Sequence, residues 1–316
     1  MRLTTDFIST SLGVVNRTAL TFVALFAVLA GVAALTLAAG SPRSDRTVGG
    51  RLRVVAGENV YGSIATQIGG RRVHVTSVLT DPNADPHLFE PGTSTGLTVT
   101  DAAVVIQNGL GYDAFMNRLE QSAPSSHRIV VTIADALRVH GADANPHLWY
   151  DVPRLPTIAA AIAGGLERAD PAHAGAYRAG VRRFDASLGP LRAEVARIRA
   201  ADGGAPVAYT EPVPGYLLAA AGLRNLTPDS FSRAVEDGTD PTLSAVSEMS
   251  GLLTGRRVRV LLYNDQAVSP VTTRIRRLAQ QAGIPVVGVS ETMPPNTTFQ
   301  RWQLGQARAL AAALGR

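Results

Sequence analysis

The chain is predicted to form an α/β fold of two similar lobes, each with a mostly parallel four-stranded sheet flanked by helices, joined by one long rigid helix. Three features carry this expectation. From Leu52 onward, short β-rich runs alternate with longer amphipathic segments, the pattern of βαβ units around a mostly parallel sheet. The second half repeats the scheme of the first. Between the halves, residues 172–200 place Tyr177, Val181, Phe184, Leu188, Leu191, Val195 and Ile198 three or four positions apart, with charged residues elsewhere.

In the first half, strands are expected over 52–56, 73–79, 103–107 and 128–133, with helices near 60–68 and 112–121. In the second half, strands are expected near 206–210, 224–226, 258–263 and 285–289, and helices near 215–221, 242–253, 271–282 and 300–314. The connecting helix, nearly thirty residues long, would span about 40 Å at the α-helical rise, with a kink or break permitted at Gly189-Pro190. The chain therefore divides into a segment over 1–50, an N-terminal lobe over 51–168, a linking helix over 169–203 and a C-terminal lobe over 204–316.

With 316 residues and 46% hydrophobic content the chain has ample material for real cores, which excludes disorder throughout. All 30 basic residues are arginine, and beyond residue 50 they number 26 against 23 acids, too even a balance to mark a nucleic-acid surface. Cysteine is absent, which rules out disulfides, thiolate metal sites, thiol catalysis and a lipid-bearing N-terminal cysteine. Any metal must be held by nitrogen and oxygen. Residues 19–39 carry no charge, follow Arg2 and Arg17, and are about as long as a membrane-spanning helix requires. The run exceeds the roughly 7–15 residues of a signal core, so it reads as an uncleaved anchor with 41–50 as tether, although Leu37-Ala38-Ala39-Gly40 also offers a cleavage site. Either way the folded body lies outside the cytoplasm, membrane-anchored, periplasmic or secreted.

Two stretches 60 residues apart echo each other: Asp85-Pro86-His87-Leu88-Phe89 and Asn145-Pro146-His147-Leu148-Trp149. Proline fixes its own φ and restricts the residue before it, so each histidine leaves a stiffened backbone. Two imidazoles presented this way can share one ion, neutral imidazole being the commonest protein metal ligand. Ligands in open α/β sheets sit beyond the carboxyl ends of strands. Glu211 closes one second-lobe strand and is stopped by Pro212, and Glu291 closes another ahead of Met293-Pro294-Pro295. His87, His147, Glu211 and Glu291 are thus the candidate ligands, and a divalent cation between the lobes would neutralise carboxylates that are otherwise costly to bury. Asp265 ends a strand as well and rivals Glu291 as the fourth ligand. Glu90 and Asp151 follow the two motifs closely enough to receive the second ring N–H of a ligand histidine. Asp81 and Asp85 read as loop-shaping residues, and His74, His127, His140 and His173 as structural or exposed.

At these residues the chain resembles the solute-binding proteins of manganese and zinc ATP-binding-cassette importers. The resemblance runs from about Arg53 to the C-terminus and is strongest in Asp85-Pro86-His87-Leu88-Phe89-Glu90-Pro91, in Asp101-Ala102-Ala103-Val104-Val105-Ile106-Gln107-Asn108-Gly109-Leu110-Gly111, and in the second histidine motif. It implies two α/β lobes joined by a rigid helix, His87 and His147 as paired ligands, Glu211 where histidine or glutamate stands, and Glu291 where aspartate is usual. The longer glutamate, the missing histidine-rich loop and the missing lipid-bearing cysteine set this chain apart from the family pattern. Two nitrogens and two carboxylates suit Mn²⁺, while intrinsic affinities favour Zn²⁺, so both ions stay open. The implied function is a non-catalytic monomeric receptor that binds one Zn²⁺ or Mn²⁺ ion outside the membrane and delivers it to an ATP-binding-cassette permease. Two alternatives remain at this point: a metal-dependent hydrolase, which would need an open coordination position and a nearby base, and an anchored adhesin-like module with a structural ion.

Overall fold

The computed structural model describes residues 46–315 except 84, 85, 87 and 88, together with the backbone alone at 93 and 94. The expected anchor, most of the tether, Asp85 and His87 lie outside the described residues. Among the described residues no helix is long and apolar enough to cross a membrane.

The first sheet comprises β1 (Thr47–Val48), β2 (Arg51–Glu58), β3 (Val73–Leu79), β4 (Val104–Gln107) and β5 (Ile129–Thr132). Strands β3 and β4 flank β2 in parallel, β5 extends the sheet beyond β4, and the two-residue β1 pairs antiparallel with β2. The second sheet holds β6 (Pro206–Tyr209), β7 (Arg224–Asn225), β8 (Val260–Asn264) and β9 (Val286–Val289), all parallel, in the order β7-β6-β8-β9. Apart from β1, both sheets follow one scheme: the first strand sits between the second and third, and the fourth lies outermost. The expectation of two similar, mostly parallel lobes is borne out. Strands such as β4 and β8 are buried along their whole length, which is why they read as unbroken apolar runs: helices cover both faces of a parallel sheet.

The helices are α1 (Asn59–Gly69), α2 (Thr93–Thr100), α3 (Ala114–Ser122), α4 (Ile133–Leu137), α5 (Leu155–Ala169), α6 (Ala174–Ser187), α7 (Gly189–Asp202), α8 (Gly215–Ala220), α9 (Asp229–Glu236), α10 (Leu243–Thr254), α11 (Pro270–Gln281) and α12 (Phe299–Leu314). Helices α2, α4, α5 and α9 were not among the sequence expectations. Within α5, Gly165 is a packing residue, because a Cβ there would meet the Val131 side chain and come within 3.4 Å of Val104.

The connecting rod is the pair α6 and α7. Leu188 between them keeps right-handed dihedrals (φ −77°, ψ −8°), so the path stays helical up to the Gly189-Pro190 step where a break was permitted. Helix α6 packs on α1 and α5, whereas α7 packs on α12 and α8, so each half of the rod is bound to a different sheet's helices. The predicted apolar stripe is buried throughout except for Val181, which is partly buried. Gly180 lets α6 lie directly on α1: a Cβ there would overlap Ile68 O and stand 2.8 Å from Ile68 Cα. One continuous core runs from Leu52 through the rod to Leu314.

Candidate metal centre

In both sheets the order reverses beside the first strand, and this switch point is where an open α/β sheet presents a crevice. In the second sheet the crevice lies between the tips of β6 and β8. Thr210 continues β6 by donating its N–H to Leu262 O, and its hydroxyl accepts the Asn264 N–H at 3.0 Å. Glu211 follows and is buried. The Asn264 amide then lies between two acids: Nδ2 donates to Glu211 Oε2 and, at 2.8 Å, to Glu291 Oε1. Glu291, two residues beyond β9, is also buried. Its N–H donates to Gln266 Oε1 at 2.6 Å, and Gln266 Nε2 donates to Thr292 Oγ1 at 2.8 Å.

The first lobe supplies His147 from the long connection after α4. Asn145 sets this histidine by a side-chain turn: Oδ1 accepts the His147 backbone N–H at 3.0 Å and faces His147 Nδ1 at 2.8 Å. An oxygen already accepting a backbone N–H is fixed as the acceptor, so Nδ1 carries the hydrogen and Nε2 points into the crevice. There Nε2 stands 3.1 Å from Glu291 Oε2 and 3.9 Å from Glu236 Oε2. Tyr112 donates to Glu291 Oε2 at 2.9 Å, and its ring meets the His147 ring edge-on at 5.7 Å, as the Trp149 ring does at 5.4 Å.

His147 is fully buried. Burial alone would lower its pKa, but the carboxylates of Glu236, Glu291 and Glu211 act the other way and leave it above the ordinary histidine value. With hydrogen on Nδ1 fixed by Asn145, Nε2 faces Glu291 Oε2 at 3.1 Å, so the two side chains meet where a cation would join them.

Four further contacts hold the two sides of the crevice together. Asn59 and Met293 bond reciprocally, Nδ2 to O at 2.8 Å and N to Oδ1 at 3.0 Å. Tyr150 donates to Ser290 O at 2.7 Å, Asn145 Nδ2 to Pro212 O at 2.8 Å, and Thr292 Oγ1 to Asp81 O at 3.2 Å. The carbonyl before His147 is also tethered, since Pro146 O accepts from Asn108 Nδ2 at 2.9 Å while Tyr61 donates to Asn108 Oδ1 at 2.5 Å.

Of the four expected ligands, His147 and Glu291 are in contact, Glu211 is joined to Glu291 through Asn264, and His87 lies outside the described residues. Among the described residues no three histidine and acid side chains are gathered tightly enough to hold an ion as they stand. Asp265 is exposed and lies over Gly288. Because β8 runs to Asn264, strand alternation turns Asn264 inward and Asp265 outward. Asp151 does not reach the His147 ring: it accepts Arg154 Nε at 2.5 Å, and Asn145 takes the ring N–H in its place. Glu90 is exposed. Asp81 shapes its turn as expected, accepting the Asn83 N–H at 2.9 Å. His74, His127, His140 and His173 are exposed, and His173 pairs with Asp170 at 2.7 Å.

Residues 54–313 match the family model of zinc-uptake complex component A, periplasmic (ZnuA). The chain is 26% identical over 279 residues to a putative metal-binding protein of Treponema pallidum (strain Nichols), covering 82% of this chain and 86% of the relative. It is 26% identical over 271 residues to the manganese-binding lipoprotein MntA of Bacillus subtilis (strain 168), covering 81% of this chain and 85% of the relative. The periplasmic zinc-binding protein TroA of Treponema pallidum shares the fold, with a TM-score of 0.73 at 19% identity over 84% of this chain and all of TroA. The resemblance read from the histidine motifs is borne out: this chain belongs to the zinc-uptake component A family, extracytoplasmic metal-binding receptors of manganese and zinc ATP-binding-cassette importers.

Proposed function

We propose that this protein captures one divalent transition-metal ion, Mn²⁺ or Zn²⁺, with His147 and His87 from the first lobe and Glu211 and Glu291 from the second. It then hands the ion to its permease without chemical turnover. The observation that carries this reading is the contact of His147 Nε2 with Glu291 Oε2, at the tip of a sheet whose other tip presents Glu211. All donors are nitrogen or oxygen, which suits both ions. An ion at this point would neutralise carboxylates drawn from two strands.

The same reading gives residues 1–50 to a membrane anchor and tether, 51–168 to the N-terminal lobe, 169–203 to the linking helix and 204–316 to the C-terminal lobe, with the protein acting as a monomer. Titration of the purified full-length protein with Mn²⁺ and Zn²⁺ tests the assignment, with quenching of Trp149 beside His147 as the signal. One ion per chain is expected, along with a metal-dependent rise in unfolding temperature. His147→Ala and His87→Ala should abolish most of that rise. Full metal response in both variants would overturn the ligand assignment.

A further inference from the structure

We infer that Glu236 is a further metal-binding residue, a third carboxylate that biases the centre toward Mn²⁺. This rests on the receptor reading above and deepens it. Glu236 is the last residue of α9, a helix seated in the second lobe's smaller core by Phe231. Its side chain is 15% exposed, and Oε2 is buried 3.9 Å from His147 Nε2.

That distance can be judged against what a shared ion requires. With metal–ligand bonds of about 2.1 Å, two donors on one ion stand about 3.0 Å apart at right angles and about 4.2 Å apart when opposed. The His147–Glu291 separation of 3.1 Å and the His147–Glu236 separation of 3.9 Å both fall in this range. Among the described residues each pair has the spacing that two donors on one ion would have, while the three side chains together are not gathered tightly enough to hold an ion as they stand.

Glu236 also faces outward, lining a cavity of about 270 Å³ together with Asp143, Asn145, Asp229 and Asp237. It thus stands between an acid-lined opening and the buried imidazole. The cation on its own helix, Arg233, is directed to Asp143 across the opening. Zn²⁺ is satisfied by four ligands, whereas Mn²⁺ prefers oxygen donors in a larger shell. A third carboxylate near His147, Glu211 and Glu291 therefore serves Mn²⁺ more than Zn²⁺.

The test compares full-length wild type with Glu236→Gln and Glu236→Ala, measuring Mn²⁺ and Zn²⁺ affinities by chelator competition. Mn²⁺ spin resonance and X-ray absorption would count the oxygen and nitrogen ligands. Unfolding of the metal-free variants establishes that they fold. Glu236→Gln is expected to weaken Mn²⁺ at least tenfold and Zn²⁺ by at least threefold less, with loss of one oxygen ligand. If wild type binds metal but both variants keep both affinities within twofold, or lose them equally, the inference fails alone. If wild type binds neither ion, the receptor reading fails and this inference with it.

Discussion

Asn145→Ala should uncouple metal affinity from the ligands themselves, because Asn145 is not expected to touch the ion. Its Oδ1 holds both the His147 backbone and ring, and its Nδ2 reaches Pro212 O, one residue beyond Glu211. Removing it deletes three hydrogen bonds at about 1 kcal/mol each and leaves a buried ring N–H without its acceptor, so the metal-free fold should lose about 3 kcal/mol. The imidazole would also lose its fixed tautomer. Partners of this kind are typically worth about 10–100-fold in metal affinity, or about 1.4–2.7 kcal/mol. Asn145→Asp keeps the acceptor for the His147 backbone and ring but sets a charged oxygen against the Pro212 carbonyl, so it should lose stability while its affinity lies nearer the wild type than that of Asn145→Ala. Chemical denaturation gives the stability change, and Trp149 fluorescence titration gives the affinities. Metal affinity in Asn145→Ala within threefold of wild type would refute the claim that this side chain orients the ligand.

Metal affinity should fall on acidification, beginning above the ordinary histidine value of 6.5, because the folded His147 pKa is raised and the ion must displace its proton. The sign follows from linkage: the metal-free fold holds its full His147 contribution below 6.5 and loses it as pH rises through the folded pKa, where the metal takes over. Below that pKa the affinity should drop about tenfold per pH unit for this one proton, and equal dissociation constants at pH 8 and pH 6 would contradict it. Glu58 is buried beside Asp113, and burial, then the Asp113 carboxylate, pushes its pKa well up. Its proton-linked stability is present below the ordinary 4.5 and lost as pH rises, so Glu58→Gln should raise the unfolding temperature at pH 8, by a margin that shrinks toward pH 4.5. Gly180→Ala should cost about 1–3 kcal/mol by forcing α6 off α1, measured by denaturant unfolding, and an unchanged midpoint would show that the helices have room to part.

Two different periodicities made much of this structure legible in sequence. The rod shows because one apolar stripe keeps the helical spacing from Tyr177 to Ile198, and the strands show because burial on both faces leaves them uniformly apolar. Helix α5 does not show, since an Ala-rich segment with two glycines lacks contrast, and its need for Gly165 is set by Val131 on a separate strand. At the centre, Glu211 and Glu291 are legible as acids at strand tips. Asn264 was passed over for Asp265 because the strand runs one residue further than its apolar run, and that residue decides which side chain faces inward. Asn145 opens the second histidine motif, where an amide two residues before the histidine makes a side-chain turn that also reaches the ring. Glu236 left no signal, because only the tertiary placement of α9 brings it near His147.

The stitching around the crevice constrains how an ion enters. Swinging the lobes apart would break the Asn59–Met293 pair, the Tyr150–Ser290 and Asn145–Pro212 bonds and the Thr292–Asp81 contact, at about 1 kcal/mol for each hydrogen bond. It would also divide a continuous apolar core, at about 25 cal/mol for each Å² exposed. A transient opening of that size would slow exchange, because its cost adds to the barrier and leaves the equilibrium affinity unchanged. Helix α9 is different, because Phe231 ties it to the smaller second-lobe core and not to the core that spans both lobes. A shift of α9 that carries Glu236 away from His147 would leave those stitches intact and break only the exposed Arg233–Asp143 pair among the contacts across the crevice named above.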